Sequence, residues 1–152
     1  MSTSQTVNRN SSHQSQARKL LSPVAVAVFL FTVSYPATDF VGAPSASDIG
    51  LGLFLAYAGI ALVTVGVVFA LVLPWALLRE GSGGWALALA IPGLLLAPGF
   101  WTGFPPVLAA GGALLGWAGI YATKGRRLSQ AAFGIGVLGV LFNVVSYAEA
   151  TI

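Results

Sequence analysis

Cysteine is absent from the chain. That alone excludes disulfide bridges, thiolate metal sites and cysteine nucleophiles, whatever the compartment. Ionisable groups are nearly as scarce, with charged residues at 7% and a single histidine, His13. The acids Asp39, Asp48, Glu80 and Glu149 all lie outside the long apolar runs, as do every Lys, every Arg and His13. A catalytic centre needs titratable or nucleophilic groups held together, and these runs contain none. No P-loop, no G-x-G-x-x-G after a strand, no HExxH pair and no metal-ligand spacing occurs either. The sequence therefore points away from an enzyme and gives no reason to expect a cofactor or a metal.

What remains is apolar. Hydrophobic residues reach 57% of the chain, more than a soluble domain of this size can hide. The runs are long and continuous, without strand-like alternation, so the expected fold class is an all-α integral membrane protein. The pI near 9.7 does not argue for nucleic acid. The basic residues sit beside apolar runs, where they act as topology signals and contacts to anionic lipid.

Trp85 to Tyr121 organises the rest: thirty-seven residues without a charge, between Arg79-Glu80 and Lys124-Gly125-Arg126-Arg127. One crossing needs about 20 apolar helical residues. In the middle lies Pro98-Gly-Phe-Trp-Thr-Gly-Phe-Pro-Pro106, where prolines remove backbone donors and glycines accept turn geometry. The expectation is a hairpin, with spans at about 85–100 and 105–122.

Before it, residues 1–18 read as a disordered, polar cytoplasmic tail, with His13 solvated, and 19–152 as the transmembrane domain. The first span, about 20–41, follows Arg18-Lys19; a basic flank and short apolar run also mark a signal peptide, but no clean cleavage site follows. Pro36 to Asp48 reads as a loop, with Ser47 or Asp48 available as a helix cap. The next span, about 49–78, is long enough to require tilt, a kink near Pro74 or projection from the membrane. The last occupies about 128–148. About five transmembrane helices result, or four if the first is a cleaved signal.

Small residues recur at helical spacing and are expected to be packing seams: Gly52, Ala56, Gly59, Gly66 and Ala70 on the second span; Gly112, Gly116 and Gly119 on the fourth; Ala132, Gly136 and Gly139 on the fifth. Phe54, Leu62 and Phe69 lie off the first of these stripes and are expected to face lipid or other partners. A sixty-residue correspondence between Gly52–Ile60 and Gly112–Ile120 is visible but weak. The polar residues inside the spans are Tyr57, Thr64 and Asn143, and Asn143 is expected to bond across a helix interface. Aromatic residues such as Trp75, Trp85, Phe100 and Trp101 gather near span ends, as interfacial belts do.

With five crossings and the N-terminus cytoplasmic, all seven Lys and Arg fall inside, while Asp39, Asp48, Glu149 and the C-terminus fall outside. The expected setting is the cell membrane, and the Ala- and Gly-rich composition suggests a bacterial inner membrane. Partners are then the lipid bilayer and other membrane helices, in a homo-oligomer or a membrane complex, and no nucleic acid. Such a chain serves as an accessory, scaffold or oligomerising component, or alternatively as a passive channel or transporter for a small solute.

Overall fold

In the computed structural model the backbone is described for residues 3–40, 48–79, 81–122 and 124–151, and side chains for 12–34, 51–79, 81–99, 102–122 and 124–149. All regular structure among these residues is helical. Continuous apolar runs take this form because a helix satisfies its backbone polar groups within one segment. The elements are α1 (Thr3–Phe40), α2 (Asp48–Gly66), a π-helical segment (Val67–Val72), α3 (Leu73–Leu77), α4 (Gly83–Leu95), a 3₁₀ segment (Ala97–Thr102), α5 (Phe104–Ala118) and α6 (Arg126–Thr151). The loop expected over Pro36 to Asp48 is corrected at its start, where α1 runs on to Phe40 because extending a formed helix costs less than nucleating one; residues 41–47 and the side chains of Asp48, Phe100 and Trp101 lie outside the described residues.

Among the described residues, three stretches are long and apolar enough to cross a membrane: Ser12–Ser34, Leu51–Leu77 and Arg126–Glu149, of 23, 27 and 24 residues. At a helical rise of 1.5 Å per residue they reach roughly 35 to 40 Å, against about 30 Å of hydrocarbon. The hairpin helices are shorter, 13 residues in α4 and 15 in α5, or about 20 and 22 Å. Helix α4 stops at Leu95 rather than near residue 100 because Pro98 has no amide to offer Leu94 and restricts Ala97 before it. The 3₁₀ segment then carries the chain onward. Gly103 makes the turn with φ +78°, a left-handed conformation that costs other residues free energy. Pro105 and Pro106 follow in the first turn of α5, where a missing amide does no harm.

Helix α1 begins at Thr3, so the polar segment expected as a tail carries helical backbone. Extending an existing helix is far easier than nucleating one. This extension also finds contacts: Ala17 is fully buried, and His13 lies against Trp117 and Tyr121 with ring centroids 5.0 and 4.9 Å away. His13 is thus half-buried on α5 rather than solvated.

The second long stretch changes its winding before Pro74. Pro74 donates no hydrogen bond, and the preceding amide of Leu73 reaches five residues back to the Val68 carbonyl. The resulting π turn rotates less per residue and swings Phe69 inward. Phe69 is 4% exposed and packs within the protein, the second of the two settings expected for it, whereas Leu62 is 59% exposed.

Successive long segments alternate in direction. Gly93 meets Ala109 and Gly112 meets Ala90, so α4 and α5 are antiparallel; Gly116 meets Phe133 and Gly136 meets Ala113, so α5 and α6 are too. Gly83 against Ser129 and Gly139 against Leu94 make α4 and α6 parallel. Helix α1 runs antiparallel to α2, with Tyr57 beside Thr32. A Cβ on Gly125 would lie 3.8 Å from the Gly81 Cα, which sets the loops after α3 and after α5 side by side. The positions of Arg18, Lys19, Arg79, Lys124, Arg126 and Arg127 therefore gather at one end of the bundle, and those of Thr102, Tyr147 and Glu149 at the other.

The core is centred on α5, where Val107, Ala109 and Leu115 are fully buried, and it includes Leu73, Ala76, Ala86, Ala90 and Ala132. The outside is as apolar as the inside: Leu30, Leu51, Leu55, Leu62, Val63, Leu71, Leu138 and Leu141 are each more than half exposed or at half. So continuous an apolar exterior suits hydrocarbon rather than water.

Candidate functional site

The small-residue faces divide into two groups. On α4, α5 and α6 they are closed against one another. A Cβ on Gly112 would stand 2.5 Å from the Ala90 nitrogen, one on Gly116 2.5 Å from the Phe133 nitrogen, and one on Gly136 2.5 Å from the Ala113 nitrogen. One on Gly139 would come 3.0 Å from the Ala109 Cβ, and one on Gly119 would overlap the Ser129 hydroxyl. Ala132 is fully buried. Backbone therefore lies on backbone, the close approach that replaces a hydrophobic driving force between helices in lipid.

On α2 the face is open. Cβ atoms placed on Gly52, Gly59 or Gly66 would have no neighbour within 4 Å. Ala56 and Ala70 are exposed as well. The two halves of the sixty-residue correspondence thus differ in surroundings, with Gly52 and Ala56 exposed where Gly112 and Gly116 are enclosed. Helix α2 and the π segment after it turn a different face, with Ala61, Val65 and Val68 buried, toward the bundle.

The polar residues of the spans are turned onto carbonyls. Thr64 donates to Ile60 of its own helix at 2.9 Å, and Tyr57 makes a long contact of 3.4 Å to the Thr32 carbonyl. Asn143 is fully buried, yet its Nδ2 donates to Gly139 of its own helix at 2.7 Å. This replaces the expected bond across an interface. The contacts of Gly136 and Gly139 with α5 bring Asn143 to the level of Pro105 and Pro106, whose nitrogens carry no hydrogen, and the Asn143 Oδ1 has no partner among the described residues.

Several contacts escaped the sequence reading. Ala86, Ala90, Gly93 and Ala97 form a fourth small face at spacings of four, three and four, all enclosed. Ser129 and Thr32 are buried with hydroxyls lacking a partner among the described residues, and nothing in their local sequence distinguishes them. At the basic end, the Arg79 guanidinium lies 3.8 Å over the Trp75 ring, and Trp75 meets Trp85 edge to face at 5.0 Å. Among the described residues, no three His, Cys, Asp or Glu side chains come together.

These features are those of a helical bundle compatible with a membrane, closed on glycine contacts and leaving one small-residue face open. Comparison with protein-family models, curated proteins and solved structures finds no match to this chain.

Proposed function

We propose that this chain is a five-span protein of the cell membrane, in a bacterium the inner membrane. Its N-terminus is cytoplasmic and its C-terminus outside, and it acts as an accessory or oligomerising component through the open face of α2. The observation that carries this reading is the empty space at Gly52, Gly59 and Gly66. In α4, α5 and α6, by contrast, Gly93, Gly112, Gly116 and Gly136 are each closed by a neighbouring backbone. A row of small residues left without such a neighbour offers another membrane helix a close approach. The gathering of the basic positions at one end supports the orientation, because cytoplasmic loops carry the excess of Lys and Arg.

The test is cross-linking in native membranes. The chain has no cysteine, so Ala56→Cys introduces the only thiol. Disulfide-linked dimers, or a fixed co-purifying partner, are expected with Ala56→Cys and should be lost when Gly59→Leu is added. A protein that remains monomeric and partnerless, and that passes solute when reconstituted alone, would overturn the proposal.

A further inference from the structure

A groove of about 390 Å³ runs between α1 and the second long stretch, lined on one side by Leu21, Ser22, Ala25 and Phe29 and on the other by Gly66 and Phe69. Its small residues make the trough and its aromatic rings the walls. One turn beyond its end on α1 come Arg18 and Lys19, both exposed. Arg18 precedes Ser22 by four positions and Ala25 by seven, so the cation stands on the same helix face as the groove. The π turn forms part of the opposite wall, and such turns recur at functional sites.

We infer that this groove holds one acyl chain of an anionic phospholipid whose phosphate is bound by Arg18 and Lys19. The lining is apolar and open to the hydrocarbon surroundings, which suits an alkyl chain. The two cations at its mouth supply charge complementarity at the headgroup level. A zwitterionic lipid would fill the groove but gain little from the pair, so discrimination rests on Arg18 and Lys19 and retention on the groove. The inference requires only that α1 and α2 cross the bilayer; it shares Gly66 with the face proposed above for self-association, so a helix seated at that end of the face would compete with the lipid, whereas one seated at Gly52 and Gly59 would not.

Native mass spectrometry of the full chain released from mixed micelles tests it, with phosphatidylglycerol and phosphatidylcholine as probes. One retained phosphatidylglycerol per chain is expected, favoured over phosphatidylcholine by roughly thirtyfold if each cation contributes as juxtamembrane Lys and Arg do. The double variant Arg18→Gln/Lys19→Gln should abolish the preference. Ala25→Leu should abolish retention by filling the trough; Ser22→Leu, at an exposed position, repeats the test where Ala25→Leu fails to fold. The control Arg126→Gln/Arg127→Gln removes equal charge elsewhere at the same end and should change neither. Equal loss in the control, displacement by soluble glycerol phosphate, or retention unaffected by groove filling would overturn the inference. So would finding the groove occupied by a second copy, seen as dimers that Ala25→Leu dissolves. Failure of α2 cross-linking with lipid retention intact would remove only the self-association reading.

Discussion

Gly112 of α5 lies so close to Ala90 of α4 that a methyl group at 112 would sit 2.5 Å from the Ala90 nitrogen and 2.7 Å from its Cα. The obstacle is main chain, which no rotamer change can move. Gly112→Ala should therefore force the helices apart and cost about 3 kcal/mol, the upper part of the usual range for overpacking. Gly59→Ala, into open space, should leave the fold intact and even favour the helix by up to about 1 kcal/mol. Thermal unfolding of the two variants in detergent checks the contrast, and equal effects would contradict the packing described.

Asn143→Leu makes the opposite kind of test. The amide gains one bond to its own helix and leaves its oxygen without a partner among the described residues. Replacing a half-satisfied buried group by an apolar one of similar size is often neutral or stabilising. The unfolding midpoint of Asn143→Leu is expected to stay level or rise. A large fall would mean that the oxygen holds a partner.

Gly103 takes its positive φ between Thr32 and Tyr57, and a Cβ there would lie 2.8 Å from Thr32 Cγ2 and 2.9 Å from the Tyr57 hydroxyl. Gly103→Ala should cost roughly 1 to 3 kcal/mol from backbone strain, with the clash added. The loss would appear as a lower unfolding midpoint. It should be smaller in a Tyr57→Phe background, where the hydroxyl is gone.

Orientation is open to a direct assay because any introduced cysteine is unique. Gly84→Cys and Thr102→Cys, both at exposed positions, lie at opposite ends of α4 and the 3₁₀ segment. A membrane-impermeant maleimide applied to intact cells should label residue 102 and spare residue 84. The reverse pattern would invert the proposed topology.

Much of this architecture was readable from composition and punctuation. The run from Trp85 to Tyr121 could double back only where Pro98, Gly103, Pro105 and Pro106 concentrate, and the turn falls at Gly103. Helix ends were less legible: α4 stops three residues before Pro98, since proline's missing amide acts on the turn that precedes it. Glycine periodicity marked close packing without saying what lies opposite. Gly112 and Gly59 look alike in sequence, and only the docking of α4 onto α5 encloses the first, while nothing among the described residues covers the second. The inward side of Phe69 was left open and His13 was misread for a related reason. A π turn and an aromatic corner made by Trp117 and Tyr121 depend on neighbours that a local window does not contain.

The lean of Gly83, Gly116 and Gly119 on Ser129 and Phe133 has a bearing on biosynthesis. Helix α6 leaves the ribosome after the hairpin, and until it arrives the glycine contacts of α4 and α5 with Ser129 and Phe133 are open. A chain interrupted near residue 125 would leave those contacts unmade, so the arrival of α6 is the step that closes the bundle.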